Sequence, residues 1–264
     1  MFKPLALALL LSCSLAQAAE PAELLADMPL TYLEQASPDT HDKPLVIFLH
    51  GYGSNEDDLF GIRESLPADY TVLSVRGQLE LASGGYQWFH RRTDSAQYDG
   101  NREDLSQSAE AVTDFIQRAT EKYHTQPDKV FLIGFSQGAM MTYEVALRHP
   151  EVLRGIAALS GRLLPVVRTQ VLAPSSYRGL SVFIGHGTAD PQVPYAGATV
   201  FIPIPVSCTP SAATRSPTWR TGSPPRSSPE ATDALAAKLA ALSTSACFSR
   251  HLRTRQGSDI AMAG

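Results

Sequence analysis

The stretch Lys129–Tyr143, KVFLIGFSQGAMMTY, decides how the chain is read. Val130-Phe131-Leu132-Ile133 is a short continuous apolar run, the pattern of a strand buried on both faces. Gly134-Phe135-Ser136-Gln137-Gly138 follows and fits G-x-S-x-G. Ala139 to His149 then reads as a helix. Strand, serine and helix in that order predict a sharp turn that lifts the Ser136 hydroxyl to the sheet edge. The flanking glycines are expected to let the chain make that turn. The hydroxyl also stands at a helix N-terminus, where free N–H groups favour developing negative charge. A G-x-S-x-G on a surface loop is common and means nothing. The strand before it and the helix after it make Ser136 the candidate nucleophile.

Upstream, Pro44 to Leu49 (PLVIFL) is a second buried strand, ending in His50-Gly51-Tyr52-Gly53-Ser54-Asn55. Such a turn lets backbone approach a bound oxyanion, and it equally fits an ordinary glycine-rich turn. Glu56 to Leu66 reads as a short helix and Thr71 to Val75 as a core strand. Residues 21–44 carry a lead-in strand at most. Gln78 to Tyr98 is a loop holding Tyr86-Gln87-Trp88-Phe89-His90. These aromatics fit an acyl pocket or a satellite of the core. Arg102 to Tyr123 is a long amphipathic helix, with Leu105, Ala109, Val112, Ile116 and Ala119 on one face.

Downstream, Met140 and Met141 read as core. Gly155 to Leu159 (GIAAL) and Ser181 to Ile184 (SVFI) are further buried strands. The second runs into Gly185-His186-Gly187-Thr188-Ala189-Asp190-Pro191-Gln192-Val193-Pro194. Strands alternating with helices predict an α/β fold, a mainly parallel central sheet with helices on both faces. In such sheets ligands bind beyond the C-terminal strand ends. His50, Ser136 and Asp190 all follow such ends. Asp190 is the candidate acid that would orient a histidine, and it also suits a turn before Pro191.

The totals agree with one globular domain: 264 residues, 44% hydrophobic and 18% charged. A net charge of −4 gives no hint of nucleic-acid binding, and no apolar run beyond the N-terminus is long enough to span a membrane. Met1-Phe2-Lys3, the apolar run Leu5 to Leu11 and Ala16-Gln17-Ala18 read as a signal peptide over residues 1–19. The expected location is the periplasm or outside the cell. Lipoprotein anchoring at Cys13 ranks second. Cys208 and Cys247 permit one disulfide; no cysteine framework or metal-ligand spacing is present.

LHGYGSNEDDL (Leu49 to Leu59), GFSQGAMM (Gly134 to Met141) and GHGTADPQVP (Gly185 to Pro194) resemble the carboxylesterase/phospholipase branch of the α/β-hydrolases, to which acyl-protein thioesterases belong. The resemblance covers roughly residues 25–200. It implies an α/β-hydrolase fold, Ser136 as nucleophile and Asp190 as acid. The oxyanion hole would be the backbone N–H groups of Tyr52 and Gln137. Trp88 and Phe135 are the expected pocket residues. The substrate would be a small-molecule ester or thioester of short to medium acyl length, with no cofactor and no metal.

The family's histidine, one helix and strand beyond the acid, has no counterpart here. His251 is the only histidine after Asp190, which makes it the remaining candidate base. Composition changes in the same region. Phe201 to Glu230 holds seven Pro, six Ser and four Thr, and residues 201–264 carry +4 against −8 before them, too little apolar content for a core. Ala231 to Leu242 alone reads as a helix. The expected division is therefore a signal peptide at 1–19, a hydrolase domain at 20–200 and a poorly ordered tail at 201–264, leaving the fold's C-terminal part incomplete. Read one base earlier, permitted codons for Ile202 to Pro210 spell His-Thr-Tyr-Pro-Gly-Val-Met-His-Ser, which resembles the family's histidine stretch. A non-triplet deletion near Ala198 to Phe201 would explain the tail as a frameshift.

Overall fold

The computed structural model describes residues 22–169, 171–187, 190, 192–193 and the strand at 206–208. The signal peptide, Cys13, the helix expected at 231–242, Cys247 and His251 lie outside them. In chain order the strands are β1 (Leu24–Leu25), β2 (Tyr32–Gln35), β3 (Leu45–Leu49), β4 (Thr71–Val75), β5 (Leu79–Glu80), β6 (Tyr86–Gln87), β7 (Val130–Phe135), β8 (Gly155–Leu159), β9 (Ser181–Gly185) and β10 (Val206–Cys208). The helices are α1 (Asp57–Phe60), α2 (Arg102–Lys122), α3 (Gln137–Arg148) and α4 (Pro165–Arg168).

Among the described residues one sheet runs β1-β2-β4-β3-β7-β8-β9-β10. From β4 to β10 every pairing is parallel, while β2 pairs antiparallel with β4 and β1, at the edge, antiparallel with β2. β5 and β6 form a separate hairpin. Burial follows the two-residue period of a strand. Leu45, Ile47 and Leu49 face the larger core under α2, α3 and α4, while Val46 and Phe48 face a smaller one beneath α1. Both faces of β3 are therefore covered, and its five residues are all buried. That double burial is why the central strands read as unbroken apolar runs.

Asn101 starts α2 by accepting the N–H groups of Glu103 and Asp104 at 2.9 and 3.1 Å. Glu103 and Asp104 in the first turn and Lys122 in the last complement the helix dipole. Its buried stripe includes Leu105, Ala109, Val112, Ile116 and Ala119, the residues the spacing predicts.

Three expectations change. The helix expected at 56–66 is one α-turn, continued by a 3-10 helix over Gly61–Ser65, because Gly61 and the approach to Pro67 shorten it. The lead-in holds two short strands, β1 and β2, rather than one at most. Val206–Cys208 joins the sheet parallel to β9, with Val206 opposite Val182, so the division expected at residue 200 falls inside the sheet.

Successive strands leave β3 in opposite directions: β4 lies on one side of it and β7 on the other. The crevice between the ends of β3 and β7 is the point where strand order reverses, the place where open α/β sheets bind ligands.

Candidate active site

Ser136 stands at that reversal point, between β7 and α3. Its backbone lies at φ 51°, ψ −111°, a left-handed conformation that costs a residue with a side chain roughly 1–3 kcal/mol. The glycines therefore do a different job from the one expected. The serine itself makes the turn. Gly134 and Gly138 let backbones touch: a Cβ on Gly138 would stand 2.1 Å from the Leu49 carbonyl oxygen, and one on Gly134 would stand 2.3 Å from the Gly138 carbonyl carbon. The N-terminus of α3 is thus pressed against the end of β3. The Ser136 N–H donates to the Leu159 carbonyl at 2.8 Å, tying the turn to β8. Its side chain makes no capping bond to α3, and the half-buried residue lines a cavity of about 660 Å³.

The turn after β3 lies over the serine. A Cβ on Gly51 would be 3.5 Å from the Ser136 Cβ. His50 is buried and holds this turn. Its Nδ1 donates to the Gly51 carbonyl at 2.7 Å, and its Nε2 accepts the Gly77 N–H at 2.9 Å. That pair of contacts sets the neutral tautomer, and burial pushes the imidazole pKa down. Tyr52, next in the chain, is 60% exposed and lines the cavity.

Gln137 is buried and has a second role that its place in the motif did not announce. Its side-chain oxygen accepts the Trp88 N–H at 2.8 Å, and its side-chain nitrogen donates to the Phe89 carbonyl at 2.9 Å. The segment that leaves β6 is thereby clamped to the start of α3. Gln87 at the end of β6 and His90 and Arg91 just after it line the cavity.

Trp88 does not line the cavity. It is fully buried, its Nε1 donates to the His50 carbonyl at 2.9 Å, and its own carbonyl accepts the Ser108 hydroxyl. Of the two readings the sequence left open for the aromatic loop, Trp88 takes the core. Phe135 is also absent from the cavity wall. It packs against the smaller core, near Gly51. Met140 does both jobs: it is buried in the larger core and lines the cavity.

The Asp190 turn closes another side, where Gln192 and Val193 line the cavity. Asp190 Oδ1 accepts the N–H groups of Gln192 and Val193 at 2.9 and 3.0 Å. Its Oδ2 lies 3.6 Å from His186 Nε2, which itself faces the Val193 carbonyl oxygen at 2.6 Å. Three separated sequence motifs, represented by Tyr52, Ser136 and Val193, thus meet on one cavity. Arg91, Tyr98 and Arg162 line it too and were not singled out from the sequence. No group of three His, Cys, Asp or Glu residues suited to a metal occurs among the described residues.

The Phospholipase/Carboxylesterase family model matches residues 30–215, well over half of the chain. The chain belongs to that family. It is a family of esterase-, thioesterase- and phospholipase-type hydrolases with the α/β-hydrolase fold. A provisionally named hydrolase of Bacillus subtilis (strain 168), MhqD, is 30% identical over 147 residues, which are 56% of this chain and 70% of that protein. Acyl-protein thioesterase 1 of Kluyveromyces lactis is 28% identical over 180 residues, 63% of this chain and 78% of that one. The crystal structure of the Bacillus cereus carboxylesterase superposes with a TM-score of 0.55 at 29% identity, covering 64% of this chain and 76% of that one. No helix among the described residues is long and apolar enough to cross a membrane.

Proposed function

We propose that this phospholipase/carboxylesterase family member is a secreted serine carboxylesterase that hydrolyses short to medium acyl esters through an acyl-enzyme. One observation carries the reading. Ser136 is held in a strained left-handed turn with its side chain spent on no cap, at the wall of a cavity it shares with Tyr52 and Val193. Ser136 Oγ attacks the acyl carbonyl and its proton passes to a base. The tetrahedral oxyanion is received by the backbone N–H groups of Tyr52 and Gln137. The alcohol leaves, and water releases the acid from the acyl-enzyme. Asp190 orients the base and stabilises its charged form. The base assigned by the sequence is His251, which lies outside the described residues. Secretion rests on the N-terminal pattern over residues 1–19.

A second reading is a scaffold that binds acyl compounds without turning them over. It is favoured by the contact that Asp190 makes: among the described residues, the imidazole that meets its carboxylate belongs to His186, whose Nε2 is directed at the Val193 carbonyl. Without a base, serine is a weak nucleophile at neutral pH.

The test is hydrolysis of p-nitrophenyl acetate and butyrate, with covalent labelling by a fluorophosphonate. The esterase reading expects turnover and labelling that Ser136→Ala and His251→Ala both remove. Activity that survives in His251→Ala dismisses that residue as base. Absence of both turnover and labelling in the intact chain establishes the scaffold.

A further inference from the structure

The cavity carries positive charge that nothing in the esterase reading uses. Arg91 follows β6 and Arg162 follows β8, and both line the same cavity as Ser136. Both guanidiniums stand about one ring: Arg91 is 5.3 Å and Arg162 is 5.7 Å from the Tyr98 centroid. Tyr98 and Ser136 line the same cavity, so the two cations stand on the wall that carries the candidate nucleophile.

Neither cation has a carboxylate within 4.0 Å among the described residues. Their neighbour Arg92 makes the contrast, since it pairs with Asp94 at 2.8 Å and with Asp99 at 3.8 Å. The Arg162 Nε is buried with no hydrogen-bond acceptor among the described residues. A charged donor buried without a partner is costly, and ring contacts at these distances repay little of the cost. An anion entering the cavity would repay it. Glu80 is the one carboxylate on the cavity wall among the described residues, and His90, also on the wall, is engaged by Asp104 at 2.8 Å.

We propose that Arg91 and Arg162, set about the Tyr98 ring, select esters or thioesters that carry a second, anionic group, a carboxylate or a phosphate. The proposal rests on reading Ser136 as the reacting group, because that reading places the scissile bond in this cavity. The planar fork of arginine suits either anion. The ester carbonyl lies against Ser136 and the anion against the two guanidiniums, so the cavity orients its substrate from both ends.

The test uses the full chain with Ser136→Ala, so that binding is measured without turnover. Monomethyl glutarate, methyl 4-phosphonobutyrate and the neutral methyl valerate are titrated by calorimetry at low salt. At least one anionic ester is expected to bind about tenfold tighter than methyl valerate, an advantage that shrinks as salt is added. Whichever anion binds tighter identifies the group. Arg91→Gln and Arg162→Gln should each remove most of the advantage, and Arg162→Lys should keep part of it. If Arg162→Gln unfolds, the exposed Arg91 supplies the same comparison. Equal binding of all three esters, or an advantage that survives in the double variant, overturns the proposal. Fluorophosphonate labelling of the unsubstituted chain judges the nucleophile separately. Anion preference without labelling removes the nucleophile reading alone, and labelling without anion preference removes this proposal alone.

Discussion

The Nε2 of His50 accepts the Gly77 N–H at 2.9 Å, a contact open only to an unprotonated nitrogen. It fixes the turn after β3 to the chain beyond β4, and that turn roofs Ser136. Burial is the main reason the imidazole resists a proton, with Arg76 adding to it, while the Gly51 carbonyl, Asp58 and Glu56 pull the other way.

A pH dependence follows from that contact. The unfolded chain protonates this histidine as pH falls through about 6.5, whereas the folded chain does so only at lower pH. Between those two points the unfolded state binds more protons, so stability falls as pH drops. Above about 6.5 both states are neutral and the contribution is flat. His50→Gln keeps one donor and one acceptor but does not titrate. Urea unfolding of the two proteins between pH 5 and 8 should show a shallower loss of stability below about 6.5 in the variant. Parallel profiles would mean that His50 is not the group responsible.

Gly138→Ala tests the packing account of the motif. The new methyl would stand 2.1 Å from the Leu49 carbonyl oxygen and 2.6 Å from the His50 carbonyl oxygen, and both are backbone atoms. One strand or the start of α3 must move. The cost should be about 3 kcal/mol, at the upper end for an overpacked core, read from the urea midpoint. A loss under about 1 kcal/mol would mean that the helix slides freely against β3.

What was legible in the sequence follows burial on both faces of the sheet. Thr71–Val75 and Gly155–Leu159 were bounded correctly because each is a short apolar run with turn residues at its ends. The α2 stripe was legible for the matching reason, a helical period on one buried face. β2 was not, because Tyr32–Gln35 reads YLEQ and only half of it is buried. In the site, Ser136 was found through its local context. Gln137 as a clamp and Arg162 on the cavity wall were missed, and the choice between pocket and core for Trp88 stayed open. Each depends on a partner far along the chain: Gln137 on Trp88, Trp88 on His50, and Arg162 on Tyr98. Residue type and spacing carry no trace of such pairings. The glycines of the motif show the same limit. Their presence was plain, but their purpose appears only when α3 meets β3.

The strain at Ser136 gives a stability prediction that separates it from chemistry. Ser136→Gly and Ser136→Ala both lack the hydroxyl, so both should lose fluorophosphonate labelling. Only glycine relaxes at φ 51°, ψ −111°. Ser136→Gly should therefore be more stable than Ser136→Ala by about 1 kcal/mol, the strain relieved less the added freedom of the unfolded glycine. Equal stability of the two variants would show that the turn holds no strain.

Gln137→Ala tests the clamp. The amide joins two buried backbone groups, the Trp88 N–H and the Phe89 carbonyl, that have no other way to be satisfied by an alanine methyl. Leaving a buried polar group unpaired costs about 1–3 kcal/mol, so the variant should lose about 3 kcal/mol in urea unfolding. The loss should also be local. Trp88 still has its side-chain bond to His50, but its main chain is released from α3. Amide hydrogen exchange at Trp88 should therefore speed up more than exchange at Leu132 in the centre of β7, whose protection reports only global unfolding. Equal acceleration at the two positions would mean that Gln137 contributes to overall stability and does not specifically hold the cavity wall, and the position of His90 and Arg91 on that wall would then need another cause.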